Sequence, residues 1–142
     1  MWVIVHVYVG LAIGTAVEAP YWLLVLLVLV SHVLLDLVPH WDYTVTDRQV
    51  LWGALDFGAS LLTLVLCLIF LSTPWSVLAL GPISGAPDFE VLVDTMRGRR
   101  SDYWFPSHRQ RFPHGRCGPL PGIAIQAGIM AAAAVVCIAA RP

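Results

Sequence analysis

Five histidines and a scatter of carboxylates are the residues of this chain equipped to hold a metal or to move a proton. His32 and Asp36 stand four positions apart inside a Leu/Val-rich run, so on a helix they share one face. His40 and Asp42 follow just past Pro39, and His6 lies near the start of the first apolar run. Asp56 falls in the opening turns of the third run, and Asp88 and Glu90 come directly after Gly85-Ala86-Pro87. His108 and His114 sit in an Arg-rich stretch. Imidazole with carboxylate suits zinc, iron or manganese, and needs no thiolate. Such a metal, with one coordination position open, acidifies water towards neutrality and so supports hydrolysis. Cys67, Cys117 and Cys137 are odd in number and widely spaced, which favours packed thiols over a disulfide framework or a thiolate zinc site.

The surrounding chain is built for lipid. Hydrophobic residues make up 58% of its 142 residues and charged residues 12%, against about 25% charged in a soluble domain. So few charges cannot cover a water-facing surface. The net charge of -1 supplies no basic face for nucleic acid. There is no Lys and no Asn, so every fixed positive side chain is Arg and no N-glycosylation sequon exists.

The apolar runs predict an all-α, polytopic transmembrane helical bundle: a single domain over 1–142 with five spans at about 2–17, 21–38, 50–71, 74–93 and 120–140, and a polar loop at 94–118. The first run is slightly short. It lacks the basic flank and cleavage motif of a signal peptide and reads as a span. The fourth carries Gly81-Pro82 and Gly85-Ala86-Pro87, which are expected to interrupt its helix, because proline deletes a backbone donor that lipid cannot replace. Trp2, Trp22, Trp41, Trp52, Trp75 and Trp104 lie near span ends, where tryptophan anchors at the interface.

Arginine placement sets the expected orientation. Arg97, Arg99, Arg100, Arg109, Arg111 and Arg116 lie in the last loop, and Arg48 lies between spans two and three. Five spans put both loops on the side of the N-terminus, which is then cytoplasmic; Arg141 is opposite. All the histidines and every acid but Glu18 then fall in the cytoplasmic half. A charge at the centre of a membrane helix costs roughly 3 kcal/mol, so His32, Asp36, Asp56 and Asp88 need partners. His6, His32, Asp36 and Asp88 are the expected inner ligands of one metal. His40, Asp42 and Asp56 are candidates for a second metal, for a supporting shell, or for a general base. Arg109 and Arg111 can grip a phosphate or another anion. Plainer roles stand beside each: an interfacial His6, a His32–Asp36 pair locking one helix, an Asp56 bonded to hydroxyls, and loop histidines on a solvated basic patch.

The stretch Ser31-His32-Val33-Leu34-Leu35-Asp36-Leu37-Val38-Pro39-His40-Trp41-Asp42 resembles the SHxxLDxxPHxD block of small bacterial membrane proteins related to the LexA-regulated inner-membrane putative metal-dependent hydrolases. His6-Val7-Tyr8-Val9-Gly10 looks like that family's early His before a Gly-containing helix. Gly85-Ala86-Pro87-Asp88-Phe89-Glu90 is similar to its GxxPDxD block, with Glu90 for the second Asp, and His108-Arg109 through His114 is similar to its HR…H element. The resemblance implies a hydrolase of the bacterial inner membrane that uses a divalent metal, zinc before iron or manganese. His6, His32, Asp36, His40, Asp88, His108 and His114 would be metal ligands, with Asp42, Asp56 and Arg109 as catalytic candidates. A more distant likeness to zinc-dependent phospholipase C suggests a phosphoester, and a site at headgroup level suggests a membrane lipid or another amphiphile. Two rival readings remain. The same residues can relay protons or carry a divalent cation, although almost no polar residue occupies the outer half. They can also tie the helices of a non-catalytic scaffold together.

Overall fold

Long runs of Leu, Val, Ile and Ala with few charged residues fold as helices because in lipid each backbone donor must find its acceptor within its own segment. The computed structural model describes residues 1–97, 103–109 and 111–140, without the side chain of Thr95. Arg99, Arg100 and Arg141, used above for orientation, lie outside the described residues. The helices are α1 (Val3–Ala16), α2 (Tyr21–Leu37), α3 (Gln49–Leu71), α4 (Trp75–Met96) and α5 (Pro119–Ala139), with single 3₁₀ turns at Tyr43–Val45 and Pro106–His108. Among the described residues there is no strand, only an isolated bridge between His40 and Arg116.

The usual distribution of polarity is inverted. The outer faces carry large apolar side chains, such as Leu26, Leu34, Leu55, Leu62, Ile69, Phe70 and Ile138. The interior holds His6, His32, Asp36, His40, Ser84 and Gln126, each fully buried. An apolar surface of that extent calls for lipid. Hydroxyls inside the helices bond back to their own backbone, as Ser60 does to Asp56 and Thr63 to Ala59.

Three helices, α3, α4 and α5, are long and apolar enough to cross a membrane. The sequence predicts five spans. α1 and α2, with 14 and 17 residues, reach only about 21 and 26 Å at 1.5 Å per residue, short of a hydrocarbon core of roughly 30 Å. α1 is the axial element, packed against each of the other four helices. It meets α4 most closely at Gly10, where an added Cβ would lie 2.6 Å from the Leu80 carbonyl oxygen and 2.8 Å from Ser84 Cβ.

The expected interruption of the fourth segment does not occur: α4 runs through Pro82 and Pro87 as one helix. Each proline deletes a single donor, the one that would serve the Leu78 or the Ile83 carbonyl four positions back, and the rest of the ladder continues. The Ser84 carbonyl receives a bond from His32 Nδ1 at 2.7 Å, and Ser84 Oγ donates to the Val28 carbonyl at 3.4 Å.

Candidate metal centre

Three helices and one loop deliver the site. α1 brings His6, α2 brings His32 and Asp36 from adjacent turns of one face, α4 brings Asp88, and the 3₁₀ turn brings His108. His32 Nε2 lies 3.3 Å from Asp36 Oδ2 and 3.8 Å from Asp88 Oδ1. His108 Nε2 lies 3.6 and 3.2 Å from the same two oxygens. His6 Nε2 lies 3.6 Å from Asp36 Oδ1 and 3.7 Å from Asp88 Oδ2. With metal–ligand bonds of about 2.1 Å, neighbouring donor atoms of one metal stand about 3.0 to 3.4 Å apart, for octahedral and tetrahedral geometry respectively. The pairs here sit at or just outside that spacing.

Hydrogen bonds at the far side of each ring decide which nitrogen faces the centre. His32 Nδ1 donates to the Ser84 carbonyl, and His108 Nδ1 donates to Glu90 Oε1 at 2.9 Å. A neutral imidazole with its proton on Nδ1 offers a bare lone pair at Nε2. The two Nε2 atoms lie 3.3 Å apart, facing carboxylate oxygens. His6, stacked on His32 at 3.8 Å, has no hydrogen-bond partner on either ring nitrogen. Asp36 Oδ2 and Asp88 Oδ2 are also buried without one. Each unsatisfied buried polar atom costs about 1–3 kcal/mol, and a cation would answer the two carboxylate oxygens and the unprotonated nitrogen of His6. His6, His32 and Asp36 form one group able to hold a metal; His32, Asp88 and His108 form another. The Met1 amino group also donates to Asp36 Oδ1, at 3.2 Å.

His40 and His114 meet beside this centre, with Nε2 atoms 3.0 Å apart and one Asp36 oxygen within 4.8 Å of both rings. Burial above all holds both imidazoles below the usual histidine range, His40 at about 4. At His108 burial pushes the same way, but bonding to Asp88 and Glu90 outweighs it and raises the value.

Four residues singled out in the sequence make contacts outside the three metal-capable groups. Asp56 is held by hydrogen bonds: Oδ2 accepts from the Val3 amide at 2.7 Å and Oδ1 from the Ile4 amide at 2.9 Å, while Tyr43 donates to Oδ2 at 3.0 Å. It caps α1 from another helix, because the N-cap position, Trp2, supplies no side-chain acceptor of its own. Asp42 Oδ1 caps the turn at Tyr43–Val45 through the amide and hydroxyl of Thr44, although Asp42 also lines a cavity beside the centre. Arg109 is exposed and spends its guanidinium on the carbonyls of Tyr103 and Trp104; Arg111 is exposed too. Neither arginine lines that cavity.

Sequence reasoning gave no role to Glu90, which accepts from the Trp104 and Phe105 amides as well as from His108. It also passed over Gln126, which accepts from the Trp2 amide and donates to the Trp41 carbonyl. A lone amide buried in an apolar helix was the available signal.

Comparison with family models, curated proteins and solved structures gave no match to this chain.

Proposed function

We propose that the chain is a metal-dependent hydrolase embedded in a bacterial inner membrane, with five spans, a cytoplasmic N-terminus and its centre at the cytoplasmic headgroup level. The observation that carries this reading is the convergence of acceptors: the bare Nε2 atoms of His32 and His108, 3.3 Å apart, against the oxygens of Asp36 and Asp88, with His6 unpartnered beside them. Zinc, iron and manganese fit such a nitrogen and oxygen donor set. The resemblance to the LexA-regulated membrane hydrolases supports the same class. Seven arginines on the two loops of the proposed inner side support the orientation.

His6, His32, Asp36, Asp88 and His108 would hold the ion, and Ser84 and Glu90 fix the rings behind it. A bound divalent metal polarises an ester oxygen and acidifies water. The cavity against Asp88 and His108 has about 70 Å³ of room, enough for a few waters or a small headgroup but not for a whole amphiphile. Phe57, Val91 and Leu92 form its apolar wall. The substrate class that fits is a membrane lipid or other amphiphilic phosphoester, its polar end inside and its chain in the bilayer. Asp42, on the cavity wall, is the carboxylate assigned to take a proton from the attacking water.

Protein purified from membranes is expected to carry zinc, iron or manganese and to hydrolyse a phospholipid or a chromogenic phosphodiester. Asp88→Asn should lose both metal and activity while keeping its helical circular dichroism. Metal-free protein that ignores chelators and cleaves no ester would overturn the reading and leave the scaffold.

A further inference from the structure

We infer that His40 and His114 hold a second divalent cation, joined to the first through the Asp36 carboxylate, so that the centre is dinuclear. This rests on the hydrolase reading for its first ion and extends it to a second.

The geometry begins with the far side of each ring. His40 Nδ1 donates to the Val38 carbonyl at 2.8 Å, and His114 Nδ1 donates to the Ser107 carbonyl at 3.4 Å. Each ring then presents a lone pair at Nε2, and these nitrogens lie 3.0 Å apart. That contact is a ring-to-ring hydrogen bond when one Nε2 carries the proton; with both protons on Nδ1 it is two lone pairs turned to one point, which a cation can share. The third donor is Asp36: one of its oxygens lies within 4.8 Å of a ring nitrogen of each imidazole; Oδ1 also accepts from the Met1 amino group, while Oδ2 is buried without a hydrogen-bond partner and faces His32 and His108.

The backbone builds this meeting deliberately. The Gly115 amide donates to the Asp36 carbonyl at 2.8 Å, His40 donates to the Gly115 carbonyl at 3.3 Å, and Cys117 donates to the His40 carbonyl at 3.0 Å. A Cβ on Gly115 would strike the Leu37 and Val38 carbonyls, so only glycine allows the loop this close to the end of α2. The stitching fixes His114 against His40 across 74 positions of sequence.

One cavity is lined by Asp88 and His108 from the first group and by His114 from the second. A substrate oxygen in it would face both ions. Paired metals clamp the attacking and leaving oxygens of an in-line displacement, which is chemistry suited to phosphoesters.

The test is metal stoichiometry on intact, detergent-solubilised protein, with Mn²⁺ as the probe. Wild-type protein should bind about two Mn²⁺ per chain and show the exchange-coupled paramagnetic resonance spectrum of a close pair. His114→Ala and His40→Gln should each lose half of the bound Mn²⁺ and revert to an isolated-ion spectrum. The wild-type spectrum needs no variant, so a misfolded mutant does not cloud the outcome. A wild-type protein with one ion and no coupling, unchanged by His114→Ala, overturns the dinuclear centre and leaves the hydrolase standing. No bound ion at all overturns both.

Discussion

Glu90 Oε1 accepts from His108 Nδ1 at 2.9 Å, and that bond turns the other ring nitrogen towards Asp88, 3.2 Å away. Glu90 also clamps the loop through the Trp104 and Phe105 amides. A glutamine there must set an NH₂ against a backbone N–H or lose the imidazole. Glu90→Gln is therefore expected to weaken metal affinity about 10- to 100-fold with the helical content intact. Titration with a competing chelator measures it; unchanged affinity would show that His108 needs no carboxylate behind it.

Asp56 is expected to matter for stability rather than chemistry. Removing it strands the Val3 and Ile4 amides and the Tyr43 hydroxyl. Asp56→Ala should cost at least about 2 kcal/mol, seen as a lower thermal midpoint, while the folded fraction keeps its metal. Lost activity at unchanged stability would return Asp56 to the reaction.

The contact of Gly10 with Leu80 and Ser84 lies one helical turn from His6 on α1 and from Asp88 on α4. Gly10→Ala should force the two helices apart at about 1–3 kcal/mol and weaken metal binding without altering a ligand. Gly128→Ala, which meets nothing within 4 Å, is the control and should be neutral or slightly stabilising. Equal metal affinity in both variants would disprove the coupling of helix spacing to the site.

Acid should empty the centre in two stages. Protons and metal compete for the same Nε2 lone pairs, so affinity falls as pH falls. At His108, bonding to Asp88 and Glu90 outweighs burial and lifts the value above the free-histidine range, so protons compete there already near neutrality. Burial holds His40 at about 4 and His114 below the ordinary range, so competition there begins at lower pH. Metal release followed from pH 8 to pH 4 is expected to begin on the His108 side. His114→Ala should remove the later, more acidic stage; loss of the earlier stage instead would reverse the assignment.

Some of this centre was legible in the chain because it is local. His32 and Asp36 share a face by helical arithmetic, and Asp88 stood out as an acid in an apolar run. What escaped depends on which helices become neighbours. Asp56 looked like a ligand because only the packed structure sets it over the start of α1. Pro82 and Pro87 looked like a break, yet each removes only one bond of the ladder and α4 keeps the rest. Glu90 follows Asp88 by two positions, so the pair points to different sides of α4, and its use appears only once the loop folds back. The five apolar runs became five helices among the described residues, three of them long and apolar enough to cross a membrane, with α1 packed against the other four.

The donors at the centre are drawn from almost the whole length of the chain, from His6 to His114. During synthesis His6 leaves the ribosome before the other donors, and under the proposed reading its imidazole has to wait for the loop ahead of α5 before the full set closes. A polypeptide that stalls after α3 carries His6, His32 and Asp36 without Asp88, Glu90 or His108. Under the proposed reading such a copy keeps one metal-capable group but lacks the His32, Asp88 and His108 set, so only a chain that has passed the loop can hold the whole centre.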